Sequence, residues 1–79
     1  MSSADIATRV EAVFGRVFGK RTPYTPTLSR LDEPRWNSMK HMELLLGLEQ
    51  EFDIRFDGAD ATDMVSMPDV IARVGSKLQ

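Results

Sequence analysis

The sequence predicts an all-α fold, a four-helix bundle with three main helices and one short one, in a single domain spanning residues 1–79. Three observations predict it. Two long runs, Ser3–Phe18 and Trp36–Ile54, repeat their apolar residues at helical spacing. A third, shorter run after Ser66 does the same behind a strong helix-start signal. The one segment that alternates polar and apolar residues, Asp53–Asp57, has no second strand to pair with.

In the first helix, Ile6, Val10, Val13, Phe14, Val17 and Phe18 follow i, i+4, i+7, i+8, i+11 and i+12, which is one core-facing stripe. Ser2 or Ser3 suits its N-terminal cap and Gly19 its C-terminal cap, with Lys20 and Arg21 complementing the negative end of the helix dipole. Such a helix can also lie on a membrane, but a core-facing role is far commoner.

From Lys20 to Asn37 the chain carries Pro23, Pro26 and Pro34, which exclude a long helix and leave a loop of about eighteen residues. Loops of that length are uncommon in compact domains and are usually functional or disordered. Leu28, Leu31 and Trp36 are expected to pin it to the bundle.

The second helix organises the chain. Leu44, Leu45, Leu48 and Phe52 form its core stripe, and His41 points the same way at the first turn. Met39, Met42 and Leu46 form a second stripe roughly 145° away. A surface helix needs one apolar stripe, so the second implies another helix, a ligand or a partner. Ser38 stands at the mouth, with Asn37 before it as a cap candidate and Arg35 and Lys40 adding positive charge. Unpaired N–H groups and the positive dipole end make such a mouth favourable for phosphate.

Beyond it, Asp53–Asp57 reads as a connector inserting Ile54 and Phe56, Gly58 allows a turn, and Ala59–Met64 a short helical turn. Ser66-Met67-Pro68-Asp69 combines a cap, a first-turn proline and an acid at the capping-box position. Val70, Ile71, Val74 and Leu78 give the last amphipathic helix.

Composition narrows the function. A chain of 79 residues without cysteine has no disulfide framework, and it shows no metal-ligand cluster and no phosphate-binding glycine motif. With no signal peptide and no long apolar run, a soluble cytoplasmic protein is expected. Residues 1–40 carry seven Lys/Arg against four Asp/Glu, whereas residues 41–79 carry three against eight. That acidic half argues against nucleic-acid binding and for partners with basic patches. With His41 the sole histidine and no acid–base pair in a pocket-forming pattern, the chain is not expected to be an enzyme.

The run NSMKHMELLLGLEQEFDI resembles the motif of the acyl carrier protein family, in which Asp-Ser-Leu opens a helix continuing ELxxxLExxF. The likeness continues without a gap through Phe56 and Met64 to Asp69–Ile71, and Ser3–Phe18 suits the family's first helix. Met39 replaces a usual leucine, and Asn37 stands where the family nearly always has aspartate. The Trp36, Ser38, His41 pattern resembles stand-alone carriers of specialised pathways more than the housekeeping fatty-acid carrier.

The resemblance implies a helical bundle of the acyl-carrier type with 4′-phosphopantetheine attached covalently to Ser38. Acyl or aminoacyl groups would ride on it as thioesters, in fatty-acid-like or specialised biosynthesis. Asn37, Met39, Met42, Leu46 and Met64 would form the partner surface and pocket rim. Glu43, Glu49 and Asp60 would supply an acidic partner surface, along with Glu51, Asp57 and Asp63. Expected partners are a phosphopantetheinyl transferase, an acyl- or aminoacyl-loading ligase or acyltransferase, and downstream biosynthetic enzymes. The carrier is expected to be a monomer with no nucleic-acid partner and no membrane insertion. The competing expectation is an unmodified adaptor with the carrier fold, acting only through protein–protein contacts.

Overall fold

Four helices form in the order α1 (Ser3–Phe18), α2 (Ser38–Phe52), α3 (Gly58–Asp63) and α4 (Met67–Lys77), with no strand, in a computed structural model that describes all 79 residues. The fold is all-α. Each helix starts on a side chain that accepts an N–H the first turn leaves unpaired. Ser2 Oγ accepts from Asp5 at 3.1 Å, Asn37 Oδ1 from Lys40 at 2.9 Å, Asp57 Oδ1 from Asp60 at 2.8 Å and Ser66 Oγ from Asp69 at 3.4 Å. In α3 the capping is reciprocal, because Asp60 accepts the Asp57 N–H in return.

The second helix is shorter at both ends than its apolar pattern suggests. Asn37 is extended as the cap, which leaves Trp36 in the preceding loop, and Asp53 ends the helix in the left-handed region at φ 54°. Asp53 tolerates that conformation better than a branched side chain would. Gly19 ends α1 at φ 73°, where a glycine carries no Cβ penalty.

The core is one cluster drawn from all parts of the chain: Ile6, Val10, Val13 and Phe14 from α1, Leu44, Leu45, Leu48 and Phe52 from α2, and Met67, Val70 and Val74 from α4, with Trp36, Ile54 and Met64 from the connections. α1 lies against both α2 and α4. α1 and α2 pack tightly at Gly47, where an added Cβ would stand 2.9 Å from Val13 Cγ1.

The long loop is well tied down. The Met67 N–H donates to the Leu28 carbonyl at 2.8 Å and the Arg30 N–H to the Val65 carbonyl at 2.9 Å, fastening the loop to the α3–α4 connection. Trp36 is buried, edge-on to Phe14 and Phe18, and Tyr24 meets Phe14 edge-on at 5.6 Å. Leu28 and Trp36 pin the loop as expected, but Leu31 does not, being 89% exposed. The Ser29 hydroxyl accepts the Leu31 N–H at 3.2 Å, and this tight local turn carries the leucine outward.

Candidate functional site

Ser38 is the first residue of α2, and it is exposed. Because Asn37 supplies the cap, the Ser38 hydroxyl is not used to start the helix and takes part in no hydrogen bond within the chain. It is a free primary alcohol at the positive end of a fifteen-residue helix. Two clefts adjoin it along the α2–α3 side. The first, of about 330 Å³, brings Ser38 together with Arg30, His41, Met42, Ala61 and Thr62. The second, of about 270 Å³, shares Met42 and Ala61 with it and is walled by Leu45, Leu46 and Phe56, with Glu49 and Asp57 at its polar edge. The apolar recess therefore lies next to the cleft that holds Ser38, with Met42 and Ala61 as the shared wall.

The second apolar stripe of α2 is a surface. Met39 is 71% exposed, Met42 53% and Leu46 55%. Met42 lines both the cleft that holds Ser38 and the apolar recess, Leu46 lines the recess alone, and Asn37 lines a separate cleft on the far side of the mouth. Met64 does not belong to the rim. It is fully buried, because the α3 helix ends there and its N–H donates back to the Asp60 carbonyl at 3.1 Å, turning the side chain into the core. The rim position facing the serine is taken instead by Ala61 and Thr62.

The acidic surface is also smaller than expected. Asp60 is 3% exposed, and its carboxylate accepts from Arg73, from Lys77 at 2.8 Å and from the Asp57 N–H at 2.9 Å. Lys77, then the Asp57 N–H and Arg73, hold that carboxyl well below the usual carboxylate range against the cost of burial. It joins α3 to α4 and offers nothing to a partner. Glu49 is half-buried and accepts the Phe56 N–H at 2.8 Å, fixing the α2–α3 connector. Glu51 accepts from Arg9 and Arg16 of α1, and Asp63 from Arg73. Glu43 remains exposed, paired at 3.3 Å with Lys40.

His41 is buried between the loop and α3. Trp36 Nε1–H donates to its Nδ1 at 3.0 Å, so Nδ1 is unprotonated; Nε2 then carries the proton and donates to the Ala61 carbonyl at 2.8 Å. Burial pushes the imidazole pKa down, the Ala61 carbonyl pulls the other way, and the Arg30 charge lowers it further. With both ring nitrogens committed, His41 holds the mouth of α2 against α3 and is not a free base.

Basic residues gather on both sides of the mouth. Arg30 is oriented by the Trp36 carbonyl, which its Nε reaches at 3.5 Å. On the far side, Arg21, Arg35 and Lys40 line a cleft of about 300 Å³ with Phe18, Thr22 and Asn37. The sequence pointed to Arg35 and Lys40; it gave no sign that Arg21, Thr22 and Arg30 would be folded back from the loop to join them. No group of three or more His, Cys, Asp or Glu is placed to hold a metal ion, and no helix is long and apolar enough to cross a membrane. Neither a scan against protein-family models nor a search of curated proteins yields a match to this chain.

Proposed function

We propose that the chain is a group carrier of the acyl carrier protein type, with Ser38 as the attachment point for 4′-phosphopantetheine. The observation that carries the reading is the free Ser38 hydroxyl at the start of α2, in a cleft that adjoins an apolar recess, with Met39, Met42 and Leu46 exposed along the same helix. The residues suit the group. Ser38 Oγ is the oxygen that would bond the phosphorus of the coenzyme A pyrophosphate, releasing 3′,5′-ADP, with its proton passing to the transferase. The unpaired N–H groups and dipole of α2 favour the resulting phosphodiester, and Arg30 adds a positive charge on the same cleft. The arm's thiol supplies the chemistry, holding acyl or aminoacyl groups as thioesters.

The protein's own part is to hold and present. A tethered thioester meets successive enzymes at raised effective concentration. Methionines at the rim suit guests and partners of varied shape, since the thioether side chain is flexible and polarisable. The partners in this reading are a phosphopantetheinyl transferase, a loading ligase or acyltransferase, and the enzymes that use the loaded group. The chain itself catalyses no step.

Asn37 in the place of an aspartate, together with the basic mouth, favours the second reading of an unmodified adaptor. Incubation with coenzyme A and several broad-specificity transferases separates the two. The expected result is a gain of one phosphopantetheinyl mass on wild type and none on Ser38→Ala of equal helicity. Wild type that stays unmodified with every transferase overturns the carrier reading in favour of the adaptor.

A further inference from the structure

We infer that the basic mouth of α2 is a docking surface for an acidic face of the partner protein that works at Ser38. The inference rests on the carrier reading for what happens at the serine, and on charge for the chemistry of the partner.

The cations and anions of this chain differ in how far they are already used. On the α2–α3–α4 side, Asp60, Asp63 and Glu51 are each matched by arginine or lysine of the same chain, and Glu49 and Asp57 are spent on backbone N–H groups. At the mouth Lys40 is paired with Glu43 and donates to the Val17 carbonyl, but the three arginines are less used. Arg21 is exposed and forms no ion pair, and Arg35 is exposed with one loose contact, 3.7 Å to Glu33. Arg30 bonds only a backbone carbonyl. Part of the positive surplus in the first forty residues therefore lies on two clefts at the start of α2, Arg30 in the one that holds Ser38 and Arg21, Arg35 and Lys40 in the other.

The cleft between Arg21, Arg35 and Lys40 is shaped to receive a side chain. Thr22 lines it and is 2% exposed, yet its hydroxyl has no partner within the chain. Since no fully occluded side-chain polar atom lacks a hydrogen bond, that hydroxyl opens onto the cleft. Two guanidinium groups, an ammonium, the Asn37 amide and a hydroxyl around about 300 Å³ form a donor-rich recess suited to a carboxylate. Phe18 lines the same cleft and gives the apolar contact a protein interface needs. Nucleic acid fits less well. Proteins held by a phosphate backbone commonly make about six to ten such contacts, whereas this mouth has four cations on a chain of net charge −2.

The experiment titrates ¹⁵N-labelled apo chain with a glutamate-rich helical peptide, a lysine-rich peptide of equal length and a short DNA duplex, at low and high salt. The expected result is saturable shifts from the acidic peptide at Arg21, Thr22, Arg35 and Asn37–Lys40, lost at high salt. Arg21→Glu with Arg35→Glu, two exposed positions outside the core, should weaken that binding on the order of tenfold while keeping the helical spectrum. Absence of shifts at the mouth, unchanged affinity of the double variant, or tighter binding of the lysine-rich peptide or the duplex overturns the proposal. The titration needs no modification at Ser38. A chain no transferase modifies therefore sinks the carrier reading, while a failed titration sinks the docking surface alone.

Discussion

Trp36 donates its indole N–H to Nδ1 of His41 at 3.0 Å, and that bond makes the neutral imidazole the native form. A proton added at Nδ1 would set two donors face to face inside a buried site. The same ring donates from Nε2 to the Ala61 carbonyl, so its charge state bears on how the loop, α2 and α3 hold together beside Ser38.

Stability should therefore fall on mild acidification. The folded-state pKa of His41 is lowered, so the unfolded chain takes up the proton first. The contribution of the neutral ring is present above its ordinary pKa of about 6.5 and is lost as pH falls through the lower folded value. Asp60 and Glu51 are also shifted down, but their stabilisation is nearly complete above about pH 5 and fades below it, at the acid edge of this window. Urea midpoints measured from pH 7.5 to 5 should decline for wild type and stay level for His41→Gln. A level wild-type profile would show that the Trp36–His41 bond does not govern stability.

Truncations along α2 and its neighbours should sort by burial. Leu48→Ala and Met64→Ala each remove a fully buried side chain and should cost about 2–5 kcal/mol. Met42→Ala and Leu46→Ala remove exposed ones and should cost under about 1 kcal/mol, while, on the carrier reading, reducing acyl transfer by the holo form. Thermal unfolding of the four variants checks this, and a large loss at Met42 or Leu46 would mean that the stripe is structural.

Gly47→Ala should be destabilising although alanine is the better helix former. The added methyl would meet Val13 Cγ1 at 2.9 Å, a contact relieved by α1 and α2 moving apart or by Val13 leaving its preferred rotamer in a packed core. The overpacking cost, about 1–3 kcal/mol, exceeds the roughly 1 kcal/mol that alanine gains in propensity. Gly47→Ala with Val13→Ala should recover part of the loss. A single variant more stable than wild type would show that the helices adjust freely.

The helices were legible because local rules decide them. The stripes in α1, α2 and α4 and the caps at Asn37 and Ser66 follow from residue type and spacing alone. Burial after α3 was not, since whether Met64 faces solvent or core depends on where a six-residue helix stops. Asp60 reads as a surface acid until Arg73 and Lys77, a full helix later, fold onto it. In the same way the loop cation Arg30 comes to Ser38 through long-range ties, Leu28 to Met67 and Arg30 to Val65, which no periodicity encodes.

On the carrier reading, the mouth charges bear on modification as well as on the proposed docking. A transferase that meets carriers through a basic face should modify wild type slowly, because Arg21, Arg30 and Arg35 repel it. Lys40 is a poor position for reversing that charge. Its Nζ donates to the Val17 carbonyl at 3.0 Å, in the last turn of α1, and a carboxylate there would face the negative end of that helix. Asn37 and Arg35 are cleaner. Asn37→Asp keeps the cap, since the two residues rank together as caps, and places an anion at the helix start. Arg35→Glu changes an exposed side chain whose one pairing is loose. The Asn37→Asp/Arg35→Glu chain should thus be modified several-fold faster than wild type at about 0.01 M salt, where screening reaches only beyond about 30 Å. Near 1 M the screening length is about 3 Å and the two rates should converge. Initial rates by mass analysis at both salts decide it. Equal rates at low salt would leave the positive mouth with no part in choosing the transferase.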